Sequence, residues 1–232
     1  MDIKIKDSVK IIRKNGINHI LVDNKKLRNY KPWLGDLFSF LYDRIMAKSV
    51  FPKKFNASIN EHYKILGEIF KIVSDKVIIE FATGSGDVIR FLNSKNIYAG
   101  VDISLGLLRL AKKKFNQYGF TRFELYCADA SETPFQNNTF DIAICNLSLN
   151  FFENIENFIS ELQRILKPNG IFYCSVPIPE RKKSKSIIHG NLYPINDLIK
   201  RFENSNFNFE IFPYENGTLL YFKTKLKEKE IE

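Results

Sequence analysis

The sequence predicts an α/β protein built on a doubly wound, mostly parallel seven-stranded sheet. Short apolar, β-branched runs alternate with amphipathic helical segments between residues 77 and 176, and such alternation requires parallel strands joined by right-handed crossovers. The runs are apolar at nearly every residue, which is typical of strands covered by helices on both faces. Two further β-type runs flank Glu215-Asn216-Gly217 and predict an antiparallel hairpin at the C-terminal end.

Residues 1–75 are expected to form an N-terminal helical extension or cap that begins with a small hairpin. Asn15-Gly16 is a turn dipeptide between two apolar stretches, which favours a hairpin. Two segments with apolar residues at helical spacing follow, and Pro52 is expected to interrupt the helix between them. The hairpin stretches are Val9–Ile12 and Ile17–Val22, and the helices run from Leu34 to about Met46 and from about Ser58 to Val73.

Residues 76–226 are expected to form the main domain, and residues 227–232 a charged tail. Five strands come first, separated by helical segments and a loop, and a helix and two hairpin strands follow them. The first five strands are predicted at Val77–Ala82, Tyr98–Ile103, Phe123–Ala128, Phe140–Cys145 and Ile171–Val176. Helices are predicted at Asp87–Leu92, after Ser104, at Ile155–Leu166 and at Asn196–Phe202, and the hairpin strands at Phe209–Pro213 and Thr218–Thr224.

The net charge of +9 is concentrated in the N-terminal part of the chain. Residues 1–76 carry 16 Lys and Arg against 8 Asp and Glu, whereas residues 77–180 carry 9 against 11. A basic surface attracts nucleic acid or acidic molecules, but scattered lysines also serve solubility alone. A nucleic-acid partner is therefore kept as a disfavoured alternative, and the oligomeric state is left open.

Targeting and cysteine signals point to a cytoplasmic protein. The first ten residues are charged throughout, and no uncharged apolar run reaches the length of about 18 residues that a membrane span needs. The three cysteines are far apart and form no CxxC pair, so neither a disulfide framework nor a cysteine-based zinc site is expected. No metal is expected in the site.

Functional side chains are expected at the carboxyl ends of the strands, where parallel sheets bind their ligands. The turn Thr83-Gly84-Ser85-Gly86 follows the first strand, and its glycines would let a ligand approach the backbone closely. The dinucleotide pattern G-x-G-x-x-G fails because Ile89 stands third, and no P-loop lysine motif exists. A nicotinamide dehydrogenase is therefore disfavoured.

A cofactor with an adenosine and a cationic, phosphate-free tail fits these strand ends better. Glu80, Asp102 and Asp129 place carboxylates at three successive strand ends. Asp102 is expected to hold both ribose hydroxyls. Asp129 is expected to accept from the adenine amino group, and the backbone of Ala130 to read the neighbouring ring nitrogen.

Residues 77–176 resemble the class I S-adenosylmethionine-dependent methyltransferases, most closely the small-molecule, type 11-like branch that includes quinone-biosynthesis C-methyltransferases. Glu80 stands where the family commonly has Asp, and Ala82 replaces the first glycine of its first motif. Asn169 stands where glycine is usual before the fifth strand. The motifs that carry the resemblance are Glu80–Gly86, Gly100–Ser104, Ala128–Ala130, Pro134-Phe135, Thr139–Asp141 and Leu166–Gly170.

The resemblance implies a Rossmann-like fold, S-adenosylmethionine as cofactor and S-adenosylhomocysteine as product. It implies that Ile103 packs on the adenine, that Asn146 lines the pocket after the fourth strand, and that Tyr42 meets the cofactor's carboxylate. The full set expected to bind the cofactor is Tyr42, Glu80, Ala82, Thr83, Gly84, Gly86, Asp102, Ile103, Asp129, Ala130 and Asn146.

The expected reaction is an in-line methyl transfer to a small, apolar or aromatic acceptor. Alignment supplies much of such catalysis, and a general base is needed only where the nucleophile loses a proton. His62 and His189 are the candidate bases, and no catalytic residue is assigned. Two alternatives stay open: an RNA methyltransferase that uses the basic N-terminal segment, and a non-catalytic module that binds S-adenosylmethionine. Cys145 follows Ile144, whereas the nucleophilic cysteine of a cytosine-C5 methyltransferase usually follows proline. Asn146–Leu149 lacks the Asn/Asp-Pro-Pro-aromatic motif of enzymes that methylate amino groups of nucleic acids.

Overall fold

The computed structural model describes residues 3–22, 26–27, 30, 41–181 and 186–228. Its strands are β1 (Ile11–Lys14), β2 (Ile17–Val22), β3 (Lys26–Leu27), β4 (Val77–Phe81), β5 (Ile97–Asp102), β6 (Phe123–Cys127), β7 (Phe140–Asn146), β8 (Leu166–Pro177), β9 (Phe207–Ile211) and β10 (Leu219–Leu226). Its α-helices are α1 (Tyr42–Ile45), α2 (Ile59–Phe70), α3 (Leu105–Gln117), α4 (Ile155–Ile165) and α5 (Ile195–Asn204). Wide π-helical turns extend α1 over Met46–Phe55, and short 3₁₀ helices occupy Asp87–Phe91, Leu149–Phe151 and Pro179–Arg181.

The strands form one mixed sheet in the order β1-β2-β6-β5-β4-β7-β8-β10-β9, with β3 paired to β2. The run from β2 to β8 is parallel, and β10 is antiparallel to both β8 and β9. The α/β class, the mostly parallel sheet and the C-terminal hairpin are therefore confirmed. The described part of the sheet has ten strands and not seven.

The additional strands come from the N-terminal hairpin. The β1–β2 hairpin forms at Asn15-Gly16 as expected, and Asn18 and His19 of β2 then pair in parallel with Tyr126 and Cys127 of β6. An unpaired β6 would expose a row of backbone donors and acceptors, and the hairpin covers that edge. Sequence periodicity shows a hairpin but not the sheet edge that it joins. The boundary after residue 75, between the N-terminal extension and the main domain, stays a prediction.

The connection between the N-terminal helices differs from the prediction. The helix that begins at α1 continues through Pro52 in wide turns and ends at Asn56, whose φ of +49° is left-handed. A widened turn moves the preceding carbonyl away from the proline ring, which removes the clash that normally breaks a helix there. Phe51 and Phe55 are buried on this segment. Residues 31–40, which hold most of the helix predicted from Leu34, lie outside the described residues, as do residues 229–232 of the predicted tail.

Helices cover both faces of the sheet and bury its apolar strands. Phe158, Ile159 and Leu162 of α4 pack on one face together with Phe81 of β4. On the other face, Phe70 of α2 packs with residues of β4, β5 and α3. Burial of each large apolar side chain contributes about 1.5–3 kcal/mol, so the two helical layers hold β4 firmly at the centre. In the described part of the chain, no helix has both the length and the apolar character to cross a bilayer.

The order of the strands places a crevice beside β4. The chain moves from β4 to β5 and β6 on one side of the sheet, and to β7 and β8 on the other. At such a switch point the loops leave in opposite directions, and open α/β sheets bind ligands there. The carboxyl ends of β4, β5, β6 and β7 all lie at this edge.

We predict that glycine is required at position 217, in the loop before β10, because the loop packs closely against the end of the π-helical turns. Gly217 has a φ of +58°, and a Cβ there would lie 2.3 Å from the carbonyl oxygens of Phe55 and Asn56. Gly217→Ala should cost about 2–4 kcal/mol of unfolding free energy, from left-handed strain and overpacking together. Gly119→Ala is the matched control, because Gly119 has a φ of +72° but open space around it. Urea denaturation should show that Gly119→Ala lowers the unfolding free energy by only about 1 kcal/mol. Equal losses in both variants would contradict the proposed close packing at Gly217.

Candidate functional site

The turn after β4 has a fixed, strained shape. Ala82 has a φ of +49° and Gly84 a φ of +56°, and left-handed backbone costs an alanine about 1 kcal/mol or more. Hydrogen bonds hold the turn, because Thr83 N donates to Val101 O over 3.0 Å and Thr83 Oγ1 donates to Glu80 O over 2.9 Å. Strain of this kind is often retained at functional sites, and here it presents the backbone of Gly84 to the crevice.

The two glycines of the turn, Gly84 and Gly86, have different surroundings. A Cβ on Gly84 would meet nothing closer than Ala82 O at 3.8 Å and the Tyr42 hydroxyl at 3.9 Å, so open space lies in front of it. A Cβ on Gly86 would lie 3.1 Å from atoms of Ala111 and Phe115. Gly84 therefore borders the cavity, whereas Gly86 allows α3 to pack closely and does not line it.

Asp102, at the end of β5, links the two neighbouring turns. Its Oδ2 accepts a hydrogen bond from Gly84 N over 2.8 Å, and its Oδ1 accepts one from Ser104 N over 2.7 Å. These two bonds fix the orientation of the carboxylate, whose oxygens are acceptors only when it is ionised. The neighbouring Ile103 is 43% exposed, which leaves an apolar surface beside the carboxylate.

Asp129 and Ala130 lie at the end of β6, farther along the same edge. Asp129 Oδ1 accepts hydrogen bonds from Ser131 N over 2.8 Å and from Ser131 Oγ over 2.6 Å. Both residues are half-buried. They stand on the side of Asp102 and Ile103, outside the cavity itself.

The cavity lies between the strand ends and the N-terminal helices. Its empty volume is about 490 Å³, including space open to solvent. Seven of the residues expected from the sequence line it, whereas Gly86, Asp102, Ile103, Asp129, Ala130 and His189 do not. The lining residues are Tyr42, Met46, Phe51, Ile59, His62, Tyr63, Glu80, Ala82, Thr83, Gly84, Ser85, Asp87, Asn146, Leu147 and Ser148.

Glu80 forms part of the floor of the cavity and is almost fully buried, at 1% exposure. The Tyr98 hydroxyl donates a hydrogen bond to its Oε2. Burial raises the pKa of Glu80 well above its usual value, and the nearby Cys145 and Asp87 raise it further. The carboxyl group therefore favours its protonated form far more than an exposed glutamate does.

The N-terminal wall is anchored to the turn after β4. Ser85 Oγ donates to Asp43 Oδ1 over 2.6 Å, and Lys114 Nζ of α3 lies 2.6 Å from Asp43 Oδ2. Lys114 also forms an ion pair with Asp87. These contacts place Tyr42 over Gly84, and burial followed by the charge of Asp102 raises the pKa of the Tyr42 hydroxyl.

The two candidate histidines occupy different surroundings. His62 on α2 lines the cavity and is 1% exposed, with its Nδ1 2.9 Å from the Tyr221 hydroxyl of β10. Burial lowers the pKa of His62 to about 3, although the nearby Asn146 side chain acts in the opposite direction. His189 is exposed and contributes its backbone oxygen to a hydrogen bond from Asn150 Nδ2. The structure thus brings His62, and not His189, to the cavity.

Asn146 ends β7 and faces the cavity as expected. Its Oδ1 accepts a hydrogen bond from Ser175 Oγ of β8 over 2.5 Å, and this orients the carboxamide. The sequence reasoning did not assign the apolar wall residues Met46, Phe51 and Ile59, nor Tyr63. Ile59, His62 and Tyr63 stand at positions i, i+3 and i+4 of α2, and this spacing was the available signal for a shared face.

Comparisons with known proteins agree with this arrangement. The family described as a methyltransferase domain matches residues 79–174. A ubiquinone/menaquinone biosynthesis C-methyltransferase from Rickettsia bellii (strain OSU 85-389) is 35% identical over 105 residues, which are 42% of this chain and 42% of that protein. The corresponding protein of Blochmanniella pennsylvanica is 31% identical over 99 residues, 40% of this chain and 39% of that protein. The chain thus spans about two fifths of the length of these curated relatives.

A solved structure shows the same fold. A SAM-dependent methyltransferase from Aquifex aeolicus superposes with a TM-score of 0.60 at 15% identity, covering 78% of this chain and 94% of that one. The fold is therefore Rossmann-like, and the chain resembles the class I S-adenosylmethionine-dependent methyltransferases, including the quinone C-methyltransferases.

We predict that His62 makes the protein less stable in acid. Its pKa falls from 6.5 to about 3 on folding, so the unfolded chain binds the extra proton once the pH drops below 6.5. The unfolding free energy should then fall with decreasing pH, by up to about 1.4 kcal/mol per pH unit. His62→Phe should flatten this slope between pH 6.5 and about 3, whereas the exposed control His189→Gln should keep it. Parallel slopes for His62→Phe and the unmodified protein, measured by denaturant titration, would contradict the assignment.

Proposed function

We propose that this protein transfers a methyl group from S-adenosylmethionine to a small acceptor, because residues 79–174 match the methyltransferase-domain family. The open approach to Gly84 beside the Asp102 carboxylate, at the switch point of the sheet, carries the proposal. S-adenosylmethionine supplies an electrophilic methyl group on a cationic sulfur. The chain's own residues need to hold the reactants in line and to exclude water.

The strand ends fit the two halves of S-adenosylmethionine. Asp102 is assigned to the ribose hydroxyls because its carboxylate ends β5 beside the turn of Gly84, and the exposed Ile103 offers an apolar surface for the adenine. Asp129 Oδ1 is engaged by Ser131, so we assign the adenine amino group to its other oxygen. The backbone of Ala130 would face the neighbouring ring nitrogen.

The amino-acid tail fits the cavity side of the turn. Gly84 leaves space for the tail, and Tyr42, Glu80 and Asn146 surround that space with hydroxyl, carboxyl and carboxamide groups. Acceptor-rich surroundings suit an ammonium group and a sulfonium. A dinucleotide in the same place is disfavoured because Ile89 stands where the third glycine of its pattern is required.

The acceptor is proposed to be small and apolar or aromatic, and carbon is proposed as the methylated atom. Met46, Phe51 and Ile59 give the cavity an apolar wall, and apolar pockets with few polar groups are typical of sites for such molecules. The relatives that match the domain are named as C-methyltransferases.

The cytoplasmic location expected from the N-terminal residues stays a prediction.

An RNA acceptor is the second candidate, and one observation favours it. Lys14 and Arg109 both lie close enough to His19 to lower its pKa, after the larger effect of burial. Lys112 Nζ donates to Asn15 O over 2.9 Å, so these cations gather around the hairpin turn. A steep fall of RNA affinity with added salt would support this candidate, and salt-independent or undetectable binding would oppose it.

Calorimetric titration tests the cofactor assignment directly. We expect the protein to bind S-adenosylhomocysteine and to show no comparable binding of NAD, because the turn lacks the dinucleotide pattern. Binding of S-adenosylhomocysteine without turnover of any acceptor would favour the non-catalytic module. Binding of NAD alone would overturn the proposal.

We predict that a single methyl group at Gly84 blocks the cofactor. Gly84→Ala adds a Cβ into open space in front of the turn, so its folding cost should be about 1 kcal/mol of left-handed strain. Its affinity for S-adenosylhomocysteine should fall by about tenfold or more, since the ligand and the Cβ would occupy the same volume. Gly119→Ala carries a similar strain in open space, and should bind normally. Normal binding by Gly84→Ala in the same calorimetric assay would mean that the ligand does not approach this backbone.

A further inference from the structure

His62 carries a nitrogen whose hydrogen bond is not satisfied within the described part of the protein. Its Nε2 is buried and has no hydrogen-bond partner among the described groups, although the Asn146 side chain lies near enough to raise the pKa of His62. Tyr221 covers the Nδ1 edge of the ring and does not line the cavity, which leaves the remaining edge of the ring for the contact with the cavity. A buried polar atom without a partner is unfavourable. Its position in a cavity wall indicates that a ligand supplies the missing partner.

The neighbouring hydrogen bonds determine which nitrogen of His62 carries the proton. Asn216 Oδ1 accepts from Ser58 N over 2.8 Å, and Asn216 Nδ2 donates to Ser58 O over 2.9 Å. Backbone N–H can only donate and backbone C=O can only accept. The Asn216 carboxamide therefore has one allowed orientation, and its Nδ2 is the atom next to Tyr221.

The orientation of the Asn216 carboxamide also determines which group donates in the hydrogen bond between Tyr221 and His62. Asn216 Nδ2 donates to the Tyr221 hydroxyl oxygen over 3.3 Å. The hydroxyl is buried and has its own hydrogen to donate, and His62 Nδ1 lies 2.9 Å away. Because Nδ1 accepts this bond, the proton of the neutral imidazole sits on Nε2.

We propose that His62 acts as a fixed hydrogen-bond donor that positions the acceptor through a carbonyl or oxyanion oxygen, and does not act as a general base. An Nε2–H group can donate to such an oxygen but cannot remove a proton. The site is closed to bulk water at this atom, which strengthens a hydrogen bond made there. The identity of the ligand as the methyl acceptor rests on the proposed function, whereas the tautomer of His62 does not.

The groups facing His62 leave the donor form undisturbed near neutral pH. Tyr221 and Tyr63 are the titratable neighbours in ring contact with it, and burial is the largest cause of the raised pKa of both hydroxyls. Glu80 and Asp87 are the carboxyl groups of the cavity lining, and Tyr42 is its other phenol. Asn146 is uncharged, and its Oδ1 already accepts from Ser175.

Nitrogen-15 NMR of the protein without ligand tests the tautomer. We expect His62 to show a protonated Nε2 and an unprotonated Nδ1, unchanged from about pH 5 to about pH 8. The His62→Phe variant identifies the signal of His62, and the His189→Gln variant identifies that of the exposed histidine. A protonated Nδ1, or titration of His62 within this range, would overturn the proposal whether or not the protein binds S-adenosylhomocysteine.

Ligand binding tests the role of the donor. The probes are 4-nitrophenolate and nitrobenzene, added to protein that has been saturated with S-adenosylhomocysteine as verified by calorimetry. His62→Phe should weaken 4-nitrophenolate binding by about tenfold to a hundredfold, since a hydrogen bond to an anion is lost, and should leave nitrobenzene binding unchanged. His62→Gln keeps an N–H donor and should recover part of the affinity.

The conservative variant separates the donor from a base. Glutamine donates a hydrogen bond but accepts no proton near neutral pH, so partial recovery by His62→Gln supports a donor. Equal losses in His62→Gln and His62→Phe, or an equal loss of nitrobenzene, would overturn the proposed role. If unmodified protein failed to bind S-adenosylhomocysteine, the proposed function would fail separately, while the NMR result would still decide the tautomer.

Discussion

The shape of the site depends on the two backbone hydrogen bonds that Asp102 accepts. Gly84 N and Ser104 N belong to turns that follow different strands, and one carboxylate ties them together. Charge-assisted bonds of this kind are roughly twice as strong as neutral ones. They set the distance between the turn that opens the cavity and the surface of Ile103 beside it. The parallel pairing of β4 with β5 supplies the frame, since it brings Asp102 to the level of that turn.

The cavity also requires the N-terminal helices to be held by later parts of the chain. Lys114 and Ser85 hold the helix that carries Tyr42, while Asn216 holds Ser58 at the start of α2. His62 lies one turn further along α2, so the loop before β10 determines where its ring stands. The N-terminal segment thus completes a site whose floor comes entirely from the central strands. Residues far apart in the sequence can alter the cavity without lining it.

Most of the central fold could be predicted from the sequence, because each parallel strand is a continuous apolar run with its own turn signal. Glu80 and Asp102 could be selected from their positions at predicted strand ends, whereas Asn146 was expected only from the family resemblance. Two features escaped prediction because they depend on tertiary contacts. The parallel pairing of β2 with β6 involves only Asn18 and His19, which carry no local signal for a sheet edge. Pro52 normally ends a helix, and the burial of Phe51 and Phe55 stabilises the wide turns around it.

The same distinction applies to the residues of the site. Gly84 and Gly86 look equivalent in the sequence, but the space around them differs because α3 crosses only Gly86. His62 and His189 are both isolated histidines in the sequence, and they differ in the structure because only His62 is buried and lines the cavity. Although the chain carries a net charge of +9, the charged side chains that line the cavity are acidic, Glu80 and Asp87. Lys114 compensates Asp87, and burial keeps Glu80 close to its neutral form. The cavity therefore presents oriented hydrogen-bonding groups more than net charge, and selection among ligands follows from where each donor and acceptor is held.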